Sequence, residues 1–155
     1  MLIFAIACTY YSAYYAILER EILIYNLNRL ASYVASEITD LVSLSLQKKE
    51  DGLLIKRIRV PSDINGRIYN LTILEFQGKY LAIQAYIVSE PSISSRVSLP
   101  WPKDGFIRMF NGSAINGILS EVNPTITISS ISKNPVIWSL RDSQSITFGL
   151  GIMKV

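Results

Sequence analysis

Met1 to Leu18 (MLIFAIACTYYSAYYAIL) carries no charged side chain. At about 1.5 Å per residue, a helix of eighteen residues reaches about 27 Å, near the lower limit for crossing a bilayer. Tyr10, Tyr11, Tyr14 and Tyr15 make this run amphipathic, because a tyrosine ring is apolar while its hydroxyl seeks a partner. Beyond Glu19-Arg20-Glu21, the residues Leu23, Leu27, Leu30, Val34, Ile38 and Leu41 recur at steps of four, three, four, four and three. That spacing is the apolar stripe of an amphipathic helix, and Asn28, Arg29, Ser32, Ser36, Thr39 and Asp40 fall off it. Neither glycine nor proline occurs before Gly52. The pattern predicts one helix from the first residues to about Gln47, roughly 70 Å long. Lys48 and Lys49 suit its negative carboxyl end, and Gly52 its break. One small domain cannot cover such a rod, so part of it must project.

From Leu53 onward, short alternating runs are punctuated by turn residues. Leu53 to Val60 reads as a strand closed by Pro61-Ser62-Asp63, and Asn65-Gly66 as a turn. Arg67 to Phe76, with Tyr69, Leu71 and Ile73 on one face, and Lys79 to Ser89, with Leu81, Ile83, Ala85 and Ile87 alternating, form a hairpin about Gln77-Gly78. Further strands are expected at Arg96 to Leu99, Phe106 to Phe110, Ile115 to Ser120, Thr125 to Ile131, Val136 to Leu140 and Ser145 to Val155. Pro100, Pro102, Pro124 and Pro135 are expected between strands. The fold class predicted is α+β: a hydrophobic-to-amphipathic helix over 1–50, then an all-β sandwich, immunoglobulin-like or a small barrel, over 51–155.

Composition then removes most chemistry. The chain has 155 residues, 50% hydrophobic and 17% charged, below the quarter or so typical of soluble domains. With no histidine, imidazole bases, histidine-ligated zinc and Ser-His-Asp triads are excluded. A single cysteine, Cys8, makes neither an internal disulfide nor a thiolate cage, and reads as a small hydrophobe. Residues 1–50 hold four basic and five acidic groups and residues 51–155 eleven and seven, giving −1 and +4 and the net +3. That excess is too mild to imply nucleic acid. The densest basic patch, Lys56, Arg57 and Arg59, reads either as a contact for acidic headgroups or an acidic neighbour, or as a strand edge kept soluble by charge.

Other constellations are weak. Asn70-Leu71-Thr72 and Asn111-Gly112-Ser113 are N-glycosylation acceptor triplets, Asn111 in a loop and Asn70 in a strand; proline disqualifies Asn123-Pro124-Thr125. Glu37 and Asp40, one helical turn apart, read as solvated or salt-bridged rather than as an acid–base pair. Gly149-Leu150-Gly151 lies in a strand and is no phosphate loop. Trp101 and Trp138 read as core or loop anchors rather than sugar platforms. No cofactor, metal or catalytic residue is expected. No basic region precedes the apolar run and no small-residue cleavage site follows it, so it is not a conventional secretory signal; either the span is retained or a leader was removed upstream.

A long helix, apolar first and amphipathic after, leading directly into a compact β domain resembles the archaeal type IV pilins of the class III signal peptide family. The stretches Leu30-Ala31-Ser32-Tyr33-Val34-Ala35-Ser36-Glu37-Ile38 and Ile58-Arg59-Val60-Pro61-Ser62-Asp63-Ile64-Asn65-Gly66-Arg67-Ile68-Tyr69 are similar to the helix end and to the first strand and turn of such proteins. The resemblance implies a non-enzymatic subunit of a cell-surface filament used for adhesion, membrane-held before assembly and homo-oligomeric afterwards. Helix–helix assembly would then run through Tyr10, Tyr11, Tyr14, Tyr15, Leu23, Leu27, Leu30, Val34, Ile38 and Leu41. The alternative is a membrane-anchored adaptor whose β domain binds an envelope protein or an archaellum component.

Overall fold

The computed structural model describes residues 2–48, 50–113, 115 and 120–154. Helix α1 spans Leu2–Gln47, as the unbroken pattern predicts. Nine strands follow among the described residues: β1 (Gly52–Arg57), β2 (Tyr69–Phe76), β3 (Tyr80–Ile87), β4 (Ser94–Pro102), β5 (Ile107–Met109), β6 (Val122–Thr125), β7 (Thr127–Ser129), β8 (Pro135–Arg141) and β9 (Ile146–Met153). They form two sheets. One has the order β1-β8-β9-β5 with β6 also on β9, and the other the order β4-β3-β2-β7.

The hairpin is built as expected, with Tyr69 opposite Ile87 and Phe76 opposite Tyr80. Its turn works because Gln77 and Gly78 both adopt positive φ, 53° and 65°, matching the twist of the flanking strands. The run read as Thr125 to Ile131 is instead two strands. Thr125 Oγ1 accepts the Thr127 N–H (3.2 Å) and donates to the Thr127 carbonyl (2.8 Å), taking backbone groups that a continuous ladder would use. The chain thereby leaves the first sheet as β6 and joins the second as β7. The expected strand Ile115 to Ser120 lies mostly outside the described residues; Ile115 and Ser120 themselves are not in a strand.

The prolines correct a second expectation. Pro100 and Pro102 lie in β4, Pro124 in β6 and Pro135 in β8. Strand β4 is the edge of its sheet, β6 pairs only with β9, and Pro135 is the first residue of β8. At such places the missing N–H costs no interior ladder bond. The β3–β4 register also shifts between Tyr80 and Ala82, opposite Pro102 and Ser98, so the bulge falls at the proline pair.

The helical stripe is seated in the head. Leu23, Leu27, Leu30, Val34, Ile38 and Leu41 are all buried, joined by Ala31, Ala35 and Val42. They share one cluster with Leu71, Ile73, Leu81, Ile83 and Ile87 of the second sheet and Ile137, Phe148 and Leu150 of the first. The boundary near residue 50 therefore separates elements, not packing units: the core begins at Leu23. The opposite face of the first sheet carries a smaller core of Phe110, Val122, Val136, Trp138 and Leu140. There Trp138 is fully buried, donates through Nε1 to the Leu150 carbonyl (2.8 Å) and meets Phe110 edge-on at 5.5 Å.

The carboxyl end of α1 is held differently from the expectation. Arg141, at the end of β8, donates from Nη1 to the carbonyls of Ser45 (2.8 Å) and Leu46 (3.0 Å). No basic residue lies in the last helical turn, and Arg141 supplies a cation at that negative end; Lys49, foreseen there with Lys48, lies outside the described residues. Beside it, Ser45 Oγ donates to Ser139 Oγ at 2.8 Å inside the core.

Candidate assembly surface

The helix docks by one half and leaves the other uncovered. Ile3 is 84% exposed, Phe4 76% and Tyr10 80%, while Ile6, Tyr11, Tyr14, Tyr15 and Ile17 are each more than half exposed. Cys8 lies on the same exposed segment as a free thiol. Thr9 donates to the Ala5 carbonyl (2.7 Å) and Ser12 to the Thr9 carbonyl (3.0 Å), so both hydroxyls are satisfied by the helix itself. Tyr11 donates to the Tyr15 hydroxyl at 2.8 Å, with ring centroids 4.5 Å apart. The projecting segment thus presents aliphatic side chains and tyrosine rings, its small hydroxyls turned inward.

Among the described residues, no helix is long and apolar enough to cross a membrane. The span foreseen, Met1 to Leu18, begins at a residue outside those described. The residues foreseen for helix–helix assembly divide into two sets. Leu23, Leu27, Leu30, Val34, Ile38 and Leu41 are at most 7% exposed because the chain's own sheets cover them. They anchor the helix to its own head, whereas Tyr10, Tyr11, Tyr14 and Tyr15 stand exposed.

The charges that end the apolar run fix the point of emergence. Arg67, beside the Asn65-Gly66 turn, donates from Nη2 to Glu19 Oε1 (2.8 Å) and faces Glu90 Oε2 at 3.6 Å. The turn itself is closed by reciprocal backbone bonds between Ile64 and Arg67, both 3.0 Å, with Asn65 and Gly66 at φ 51° and 73°. One guanidinium between two carboxylates ties the last docked turn to the head. Sequence reasoning treated Glu19 only as an interruption; Arg67 lies 48 positions away, and no local spacing announces such a pair.

The remaining candidates separate. Lys56 pairs with Glu37, and that hydrogen bond raises the lysine's pKa above its ordinary value. The Glu37–Asp40 spacing therefore serves a helix-to-β1 ion pair. Of the basic patch, Lys56 is so neutralised, Arg57 donates toward Met153 Sδ (3.2 Å), and Arg59 lines a cavity beside the helix. Asn111 is exposed, and its side-chain carbonyl accepts the Ser113 N–H at 3.0 Å. Asn70 is half-buried, with Nδ2 donating to the Tyr86 hydroxyl (3.1 Å), so a glycan there would displace a cross-strand bond. Trp101 is half-buried against Phe148, ring centroids 5.6 Å apart. Among the described residues no group of three or more acidic or cysteine side chains could hold a metal ion. No protein-family model, curated protein or solved structure matches the chain.

Proposed function

We propose that this chain is a non-enzymatic structural subunit of an extracellular, type IV pilus-like filament, with the projecting halves of its helices bundled at the centre and the β heads outside. The observation that carries the reading is the uncovered apolar helix from Ile3 to Ile17 on a chain whose remaining core is closed. A contiguous apolar surface of this kind marks an interaction site. If about 1,000 Å² of it is buried between copies, the gain relative to water is on the order of 25 kcal/mol at about 25 cal/mol per Å², an upper bound before association costs.

Tyrosine content selects the partner. Tyr11 already donates to Tyr15, but the hydroxyl protons of Tyr10, Tyr14 and Tyr15 need acceptors wherever they are buried, and polar groups of neighbouring helices can supply them where hydrocarbon does not. Before assembly, the same face is suited to lying in a membrane interface, where ring and hydroxyl are both accommodated.

The test is to purify the full chain in detergent, remove the detergent and follow sedimentation together with negative-stain microscopy. Elongated particles or large oligomers are the expected result. A monodisperse monomer in detergent-free buffer overturns the proposal. Shearing of expressing cells adds a second readout: release with filaments agrees with a subunit, whereas full retention with membranes favours an anchored adaptor.

A further inference from the structure

A cavity of about 480 Å³ opens between the docked half of α1 and the segment that follows β1, lined among others by Asn26, Arg29, Tyr33, Arg59, Asp63 and Asn65. Leu30, Pro61 and Ile64 complete its lining. Arg29 lies 6.0 Å from the Tyr25 ring centroid, and neither Arg29 nor Arg59 has a carboxylate partner among the described residues. The acid in the cavity wall, Asp63, is turned to its own loop and pairs with neither arginine: Oδ1 accepts the Gly66 N–H at 2.8 Å and Oδ2 the Ser62 hydroxyl at 3.3 Å. Two arginines and one aspartate therefore line the half-open recess, an excess of one positive charge.

The projecting helix carries the complement. Of the charges ending the apolar run, Glu19 is paired with Arg67, whereas Glu21 is exposed and has no partner among the described residues. Within one chain Glu21 cannot reach Arg29, since eight helical positions separate them by about 12 Å. Resting on the filament reading, we infer that Glu21 of one copy docks into the Arg29–Arg59 cavity of the next, setting the axial stagger between neighbouring helices. An offset of about 12 Å puts Glu21 of one helix level with Arg29 of its neighbour and still leaves the segments from Ile3 to Ile17 overlapping. The bundle supplies affinity, and the charge pair supplies register.

Reversal and swap of the charges test this in the full-length chain. Glu21→Lys and Arg29→Glu singly are each expected to raise the concentration needed for assembly about tenfold, and Glu21→Lys with Arg29→Glu in one chain to return it to within about threefold of the unsubstituted protein. All three residues touched by the scheme are exposed, and near-ultraviolet circular dichroism reports whether the tryptophan core of the head is intact. Single reversals that assemble like the unsubstituted chain overturn the inference while leaving the filament reading standing. So does a swapped chain with a native spectrum that fails to recover. An unsubstituted chain that never assembles overturns both.

Discussion

Gly149 and Gly151 are the seat on which the Trp138 indole lies. A Cβ at Gly149 would come within 2.6 Å of Trp138 Cζ2 and 3.0 Å of the Phe110 Cβ, and one at Gly151 within 2.4 Å of Val122 Cγ1. Gly149→Ala is therefore expected to lower stability by about 1–3 kcal/mol, read as a shifted urea midpoint followed by tryptophan fluorescence. Asp142 gives a second residue-level outcome. Its carboxylate accepts the backbone N–H groups of Gln144 and Ser145, both at 2.7 Å, and the Gln144 bond above all holds its pKa below the ordinary carboxyl value. A pKa lowered on folding stabilises the native state above the unfolded carboxyl's pKa, and that contribution disappears as pH falls through the folded one. Asp142→Asn should accordingly flatten the loss of stability below about pH 4, measured by thermal melts across an acid series. Burial pushes the Tyr69 hydroxyl, which donates to the Pro61 carbonyl at 2.5 Å, well above the usual phenol range, so it stays a donor throughout.

At the scale of elements, the end of α1 depends on a side chain from β8. Replacing Arg141 by methionine removes both bonds to the Ser45 and Leu46 carbonyls while keeping much of the aliphatic packing. Amide exchange over residues 43–47 should accelerate, with a global cost of about 1 kcal/mol. Helix α1 itself was legible to its last residue, because one apolar period runs without a glycine or proline to interrupt it. The β2–β3 hairpin was equally legible from its alternation and from Gln77-Gly78. What periodicity does not encode is partnership across the chain: that the Leu23-to-Leu41 stripe closes on its own sheets, or that Arg141 of β8 reaches the last carbonyls of α1. Nor did alternation alone reveal the switch between β6 and β7, which depends on a single threonine hydroxyl competing for backbone groups. Proline within β4 and β6 was misread for a related reason, since edge position is a property of the sheet and not of the strand. Of the proposed assembly surface, the tyrosines stand out in composition, but the division between docked and exposed helix appears only once the head is folded around Leu23.

For the molecule as a whole, the free half of the helix and the head are separable in effect. Phe4→Asp places a charge on the uncovered face, 76% exposed in the single chain, and should prevent assembly while leaving the circular dichroism and melting of the head unchanged. Sedimentation of the full chain without detergent is the measurement, and oligomers of unaltered size would contradict the central role of that face. The uninterrupted passage of α1 from its free half into the core has a mechanical consequence. Tension applied along the N-terminal half enters the head in shear, spread over the apolar contacts from Leu23 to Val42, with no flexible joint in the helix where the pull could be dissipated. A strand of such subunits would stretch little before its heads began to yield, and its elasticity would be set by the grip of the sheets on the rod.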